Sequence, residues 1–103
     1  MDFGDWEMRR WNNIPRTEID AWAHDPVDYR PGGGEGVLQM ARRVRAFHAD
    51  IAARQQDCIV FCHAGTIRLL SACQDSSSPQ EMARLAAQVR HRITYGEIVI
   101  LDC

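Results

Sequence analysis

The sequence lacks any long hydrophobic run and has almost no excess of charge. Its longest apolar run, in a chain of 103 residues, is far shorter than the roughly 18–20 residues that span a bilayer. The net charge of −2 at pH 7 gives no general attraction to nucleic acid or to an anionic membrane. The N-terminal stretch MDFGDWEMRR is acidic and aromatic, unlike a signal or transit peptide. We therefore expect a cytoplasmic protein with neither a nucleic-acid nor a membrane partner.

Paired-cysteine motifs are also absent. The four cysteines, Cys58, Cys62, Cys73 and Cys103, form no CxxC pair and no Cys/His spacing typical of zinc. Three of them lie in or beside apolar runs, where a free cysteine behaves as a small hydrophobic residue. We expect buried thiols, no metal and no cofactor; a disulfide or a cysteine/histidine metal site is the alternative.

The pattern that is present predicts helices and two short strands. Apolar residues at helical spacing predict short helices over residues 7–13 and 16–24 and a long amphipathic helix over 37–54. Residues 25–36, DPVDYRPGGGEG, read as a loop. Further helices are expected over 66–73 and 80–90, and buried strands over 58–62 (CIVFC) and 96–102 (GEIVILD). This alternation predicts an α/β layered domain.

Two strands are too few for such a domain. A two-stranded unit is marginal in water, and it cannot shield several amphipathic helices. We therefore expect that an element completing the sheet is missing from this chain.

His63 follows the predicted strand 58–62 directly and precedes Ala64 and Gly65. Ligands in α/β sheets bind beyond the carboxyl ends of strands, and the positive end of the next helix favours phosphate or carboxylate there. An imidazole can donate hydrogen bonds and carry positive charge near neutral pH. The segment therefore predicts an anion or phosphate site.

These residues also allow other interpretations. His63 could instead cap the strand by bonding a carbonyl group. A Cys62–His63 nucleophilic dyad is rejected, because neighbouring strand residues point to opposite faces. His24, His48 and His91 read as solvated or structural, as do the arginines at positions 9, 10, 42 and 43.

Three motifs in order resemble the histidine phosphatase superfamily, in its phosphoglycerate mutase-like branch. These are DFGDWE at the start, the loop RPGGGE, and VFCHAG ending in His63, Ala64 and Gly65. They resemble the bacterial alpha-ribazole phosphatase group in particular. HAG alone is a weak signal, whereas the three motifs in register from Asp2 to about Leu70 are a strong one.

The resemblance implies hydrolysis of a small phosphorylated substrate, a phosphomonoester, through a phosphohistidine. His63 matches the late histidine of the family, which binds phosphate and stabilises developing charge, and the backbone N–H of Ala64 matches a phosphate contact. No metal or cofactor is implied. The implied fold is the three-layer phosphoglycerate mutase-like fold.

The sequence departs from the family pattern at several places. It contains no Arg-His-Gly, the tripeptide whose histidine is the family's nucleophile, and Arg90-His91 is followed by Arg92. The second pocket arginine would also lie upstream, and the general-acid glutamate falls by register immediately before Met1; Glu7 is not that acid. Met8 replaces a usual glycine, and Gly36 a usual serine.

We therefore expect residues 1–103 to be a single partial histidine phosphatase domain. It would be a truncated α/β chain that lacks the N-terminal central strand and is inactive alone. The alternative is a non-catalytic α/β remnant that binds anions or self-associates as a homo-oligomer through its open sheet edge.

Overall fold

The computed structural model describes residues 1–88 and 92–102, and all regular structure within those ranges is helical. The α-helices are α1 (Arg16–His24), α2 (Val37–Arg54), α3 (Ala64–Gln74) and α4 (Pro79–Gln88), and short 3₁₀ turns occur at Gly4–Trp6, Trp11–Asn13 and Pro31–Gly33. The chain forms two compact units, Met1–Met40 and a second that starts at Ala41. None of the described helices combines the length and apolar character needed to cross a membrane.

The α/β fold predicted from the sequence is wrong: the described residues contain no strand or sheet. Residues 58–62 are exposed throughout, and no backbone hydrogen bond joins them to another described segment. The side chains of Ile98 and Ile100 are likewise 85% and 87% exposed. An apolar run becomes a buried strand only beside a hydrogen-bonded neighbour, and neither segment has one within the described chain. The three-layer arrangement is therefore not formed.

The predictions of the longer helices are largely confirmed. α1 and α2 have the bounds expected from their periodicity, while α3 begins two residues before the predicted Thr66. α4 begins at Pro79 and ends at Gln88; the rest of the predicted helix over 80–90 lies outside the described residues. The helix predicted over 7–13 was wrong, because Met8 has a φ of 64°, which interrupts a right-handed helix.

Local capping explains where α2 and α4 begin. The Gln39 side chain accepts a hydrogen bond from the backbone N–H of Gly36 at 2.9 Å, as the third residue of a helix does in a capping box. At α4, Ser78 Oγ accepts from the backbone N–H of Glu81 at 3.2 Å. Both helices thus have side chains that satisfy N–H groups at their first turn.

Helix α3 packs against α4 in the second unit. Leu69 and Leu70 of α3 are buried, as are Met82 and Ala83 of α4. Full burial of a Leu or Met side chain contributes about 1.5–3 kcal/mol each. The packing of α3 against α4 therefore fixes the helix that directly follows His63.

The expectation of buried thiols was wrong for two of the cysteines. Cys58 and Cys62 are exposed and Cys73 is half-buried, while Cys103 lies outside the described residues. The cause is again the absence of the predicted sheet, which would have covered residues 58–62.

Candidate functional site

In the first unit, the structure brings together the DFGDWE and PGGGE motifs. The turn Gly4–Trp6 packs on the turn Pro31–Gly33. The backbone N–H of Glu35 donates to the Asp2 carbonyl at 2.6 Å, and a Glu35 carboxylate oxygen accepts from the Asp2 backbone N–H at 3.3 Å. Two motifs some 30 residues apart therefore form one local structure.

Glycine is required where these two turns meet. Gly32 has a φ of 65°, and a Cβ atom there would lie 2.6 Å from the backbone nitrogen of Trp6. Gly4 has a φ of 51°, and its Cβ would lie 2.7 Å from the nitrogen of Gly34. Only a residue without a side chain fits both the conformation and the space.

An aromatic cluster lies beside the joined motifs. Trp6 is 5% exposed, and its ring centroid lies 5.7 Å from that of Trp22 and 6.2 Å from that of Trp11 in edge-to-face arrangements. Trp6 Nε1 donates to the Glu18 carboxylate at 3.2 Å. The cluster fixes α1 against the first motif through both apolar contact and this hydrogen bond.

A polar cavity of about 250 Å³ opens beside Trp6. Its lining includes the carboxylates of Asp5 and Glu18, the Arg9 guanidinium and the Tyr29 ring. Arg9 also donates a hydrogen bond to the backbone carbonyl of Asn13. The sequence analysis did not single out Glu18 or Tyr29, because only the fold brings them to Trp6; the acidic residue in the first turn of α1 was the one available signal.

In the second unit, His63 is the N-cap residue of α3, with extended backbone angles (φ −77°, ψ 160°). Its carbonyl accepts the backbone N–H of Ile67 at 3.1 Å, which begins the helical hydrogen-bond series. Its side chain is exposed. No capping bond from that side chain is formed, so the alternative of a histidine bonded to a carbonyl finds no support among the described residues.

Among the described residues, no backbone acceptor pairs with the N–H groups of Ala64, Gly65 and Thr66 in the first turn of α3. The first N–H groups of any α-helix have no partner within the helix, and the helix dipole makes that end attractive to anions. A Cβ atom on Gly65 would meet no atom within 4 Å, so the space beside the turn is open.

The remaining candidate residues gain no chemical role from the structure. Partial burial raises the pKa of the Cys62 thiol, which disfavours the nucleophilic thiolate. Among residues 1–88 and 92–102, no group of three or more His, Cys, Asp or Glu could hold a metal ion. His91 lies outside the described residues.

Comparison with known proteins identifies similar sequences. A model of the histidine phosphatase superfamily (branch 1) matches residues 1–99. The adenosylcobalamin/alpha-ribazole phosphatase of Escherichia coli K12 is 35% identical over 77 residues, which are 70% of this chain and 38% of that protein. The proteins of the same name from Salmonella typhimurium and Salmonella typhi are 34% and 32% identical, with the same coverage of both chains. No solved structure matches.

The matched part of the chain spans less than two fifths of the length of these curated relatives. The family model nevertheless covers nearly all of this sequence, including the paired motifs of the first unit and the His63 turn of the second. The resemblance drawn from the three motifs is therefore confirmed: the chain belongs to the histidine phosphatase superfamily.

Proposed function

We propose that this chain serves phosphomonoester chemistry by binding the phosphoryl group at His63 and the first turn of α3. The observation that carries the proposal is the position of His63 as N-cap of an eleven-residue helix with an exposed side chain. An imidazole N–H and the N–H groups at a helix start are both donors suited to phosphate oxygens.

Each residue has a distinct role in this proposal. The His63 imidazole donates to one phosphoryl oxygen and stabilises negative charge that develops during transfer. The backbone N–H of Ala64 donates to a second oxygen. The open space at Gly65 leaves room for the phosphoryl group to approach the backbone.

The names of the relatives support a proposal for the substrate class. They are named adenosylcobalamin/alpha-ribazole phosphatases, so we propose a small phosphomonoester of the alpha-ribazole phosphate type for this chain. A cytoplasmic location belongs to the same proposal.

The isolated chain is proposed to bind phosphate without turning over an ester. The family resemblance implies that the phosphoryl group passes to a histidine in an Arg-His-Gly tripeptide and then to water, and this sequence contains no such tripeptide. Without the nucleophile there is no covalent intermediate. The anion-binding role alone then remains.

The experiment measures inorganic phosphate binding by calorimetry and hydrolysis of para-nitrophenyl phosphate on the same samples. His63→Ala should weaken phosphate binding at least about tenfold, because a hydrogen bond to a charged group contributes about 1.5–3 kcal/mol and about 1.4 kcal/mol is tenfold in affinity. His24→Ala, at the end of α1, is the matched control and should leave binding unchanged.

Two results would contradict the proposal separately. Equal phosphate affinity in the parent chain and His63→Ala would remove the His63 site. Hydrolysis that disappears in His63→Ala would keep the site and disprove the inactivity of the isolated chain.

A further inference from the structure

The polar cavity beside Trp6 is a feature of the first unit that the proposed function does not explain. Its lining comes from the first motif, from helix α1 and from the loop 25–36. Trp6 connects these walls, because its ring centroid lies 6.5 Å from that of Tyr29 and its Nε1 donates to Glu18. The shape of the cavity is therefore set by local contacts within the first unit and not by the sheet that was predicted for the second.

The lining contains charges of both signs that do not pair with one another. The Arg9 guanidinium donates to the backbone carbonyl of Asn13, and within the described chain it forms no ion pair with a carboxylate of the cavity. The Asp5 carboxylate is exposed and has no hydrogen-bond partner among the described residues. Glu18 accepts from Trp6 through Oε2, which leaves Oε1 to accept a further bond. The cavity thus offers a ligand both a cationic donor and carboxylate acceptors.

These groups together suit a ligand that carries two opposite charges. An ammonium group has three donors and no acceptor, so it is complementary to the carboxylates of Asp5 and Glu18. A carboxylate group is complementary to the Arg9 guanidinium, whose planar fork can donate two parallel hydrogen bonds to it. The rings of Trp6 and Tyr29 supply apolar surface for a short aliphatic stem between the two charges.

A ligand with a single charge is complementary to only one side of this lining. A simple anion such as phosphate would meet Arg9 but would also approach the carboxylates of Asp5 and Glu18. A simple cation would meet the carboxylates but would also approach the Arg9 guanidinium. Because the approach of like charges is unfavourable, the lining favours a zwitterion over either ion alone.

We propose that the cavity beside Trp6 binds a small amino acid as its zwitterion, with the ammonium group at Asp5 and Glu18 and the carboxylate at Arg9. The cavity volume of about 250 Å³ is below the roughly 300–1,000 Å³ of pockets for drug-sized ligands, so the ligand is small. Binding is weak, because Asp5 and Arg9 are exposed and water and salt screen their attraction. The proposal does not depend on the phosphate-binding role of His63.

Ligand titration followed by NMR tests the class of ligand. The probes with both charges are beta-alanine and gamma-aminobutyrate, and the probes with one charge are butylamine and butyrate. The signal to follow is the indole N–H of Trp6, because this group donates to Glu18 and an ammonium group bound there changes its environment. The indole N–H of Trp22, a residue outside the lining of the cavity, is the internal reference.

The tighter of the two amino acids should bind at least about threefold more tightly than butylamine or butyrate at equal salt, because it makes both exposed ion pairs and each adds a modest gain. Butylamine binding as tightly as the amino acids would mean a site for cations alone. Equally weak binding of all four probes would mean that the cavity selects no ligand of this class. Either of these results overturns the proposal.

Substitutions of the two exposed residues assign the charges of the ligand. Asp5→Asn should weaken the binding of the amino acid and of butylamine, whereas Arg9→Gln should weaken the amino acid and leave butylamine at least as tightly bound. Arg9→Lys keeps a positive charge and should bind the amino acid more tightly than Arg9→Gln. Glu18 is kept, because it also accepts the Trp6 indole N–H. Unchanged affinity for the amino acid in Asp5→Asn or in Arg9→Gln contradicts the proposal.

Matched controls separate this cavity from general effects of charge and from the site at His63. Asp28→Asn and Arg10→Gln make the same charge changes at exposed residues outside the lining, and they should leave the affinity unchanged. His63→Ala, measured in buffer without phosphate, should also leave it unchanged. An equal loss of affinity in Asp5→Asn and Asp28→Asn, or a loss in His63→Ala, would overturn the assignment of the amino acid to this cavity.

Discussion

The backbone of Gly32 lies so close to the backbone of Trp6 that a Cβ atom on Gly32 would come within 2.6 Å of the Trp6 nitrogen. This approach joins the acidic-aromatic motif to the glycine-rich loop. The carbonyl oxygen of Phe3 would be closer still, and backbone atoms on both sides cannot move aside as a flexible side chain can.

Gly32→Ala is therefore expected to destabilise the first unit by about 2–4 kcal/mol through collision and a positive φ together. Gly33→Ala is the matched control, since Gly33 also has a positive φ, 75°, but a Cβ there would meet nothing within 4 Å. The control should lose only about 1–2 kcal/mol. Urea unfolding followed by tryptophan fluorescence measures both, and equal losses would show that the close approach contributes nothing.

The hydrogen bond from Trp6 to Glu18 is expected to stabilise the aromatic cluster. Trp6 is 5% exposed and its Nε1 donates to Glu18 at 3.2 Å, so Glu18→Ala leaves a buried indole N–H without an acceptor. The expected loss is about 1–3 kcal/mol. Glu18→Gln keeps an acceptor oxygen and should lose less than half as much in the same unfolding experiment. If Glu18→Gln were as unstable as Glu18→Ala, the loss of stability would come from the charge of Glu18 and not from its hydrogen bond to Trp6.

Met8 lies in the left-handed region with a φ of 64°, where the family pattern has glycine. Its side chain is fully exposed, so removing it loses no packing. Met8→Gly should remove the steric strain of a side chain at a left-handed backbone position. The greater freedom of glycine in the unfolded chain offsets part of this gain, so we expect a net stabilisation of about 0.5–1 kcal/mol.

Met8→Ala is the control for that substitution, because it removes the side chain but keeps the Cβ atom responsible for the strain. Its stability should stay within about 0.5 kcal/mol of the parent chain. Thermal unfolding measures both variants; a gain in Met8→Ala equal to that in Met8→Gly would show that the backbone conformation is not the cause.

The helices could be predicted from the sequence because their signals are local. The amphipathic pattern over residues 37–54 predicted α2, and Met40, Ala41 and Val44, which recur at helical spacing, are buried. Hydrogen bonds within a helix join residues four apart, so the local periodicity of apolar residues suffices to predict a helix.

The prediction of strands failed because a strand depends on a partner that is not local in the sequence. Ile59 and Phe61 have strand-like character, but a strand exists only when another segment supplies hydrogen-bonding groups, and no described residue does. The prediction that a helix follows His63 was nevertheless confirmed, although α3 begins at Ala64 and not at Thr66, because a helix depends on local hydrogen bonds and not on the sheet. The cavity beside Trp6 was missed because Glu18 and Tyr29 reach it only through tertiary contacts.

The start of α4 is expected to make stability depend on acid pH through Glu81. Its carboxylate accepts hydrogen bonds from the backbone N–H of Ser77 at 3.1 Å and from Ser77 Oγ at 3.0 Å. These bonds to Ser77, with a smaller contribution from the charge of Arg84, hold the pKa of Glu81 below the usual 4.5. A carboxyl group whose pKa is lower in the folded than in the unfolded state stabilises the fold above the unfolded value. That contribution is then lost as the pH falls through the folded value.

Glu81→Gln should therefore flatten the dependence of the urea midpoint on pH below about 4.5 and leave α4 less stable at pH 6. Ser77→Ala removes only the hydroxyl donor, so the pKa of Glu81, followed by carboxyl NMR, should rise part of the way towards its ordinary value. Because the backbone N–H of Ser77 remains, the shift should not be abolished. A Glu81→Gln chain with the same acid dependence as the parent would show that the Ser77–Glu81 hydrogen bonds do not form in solution.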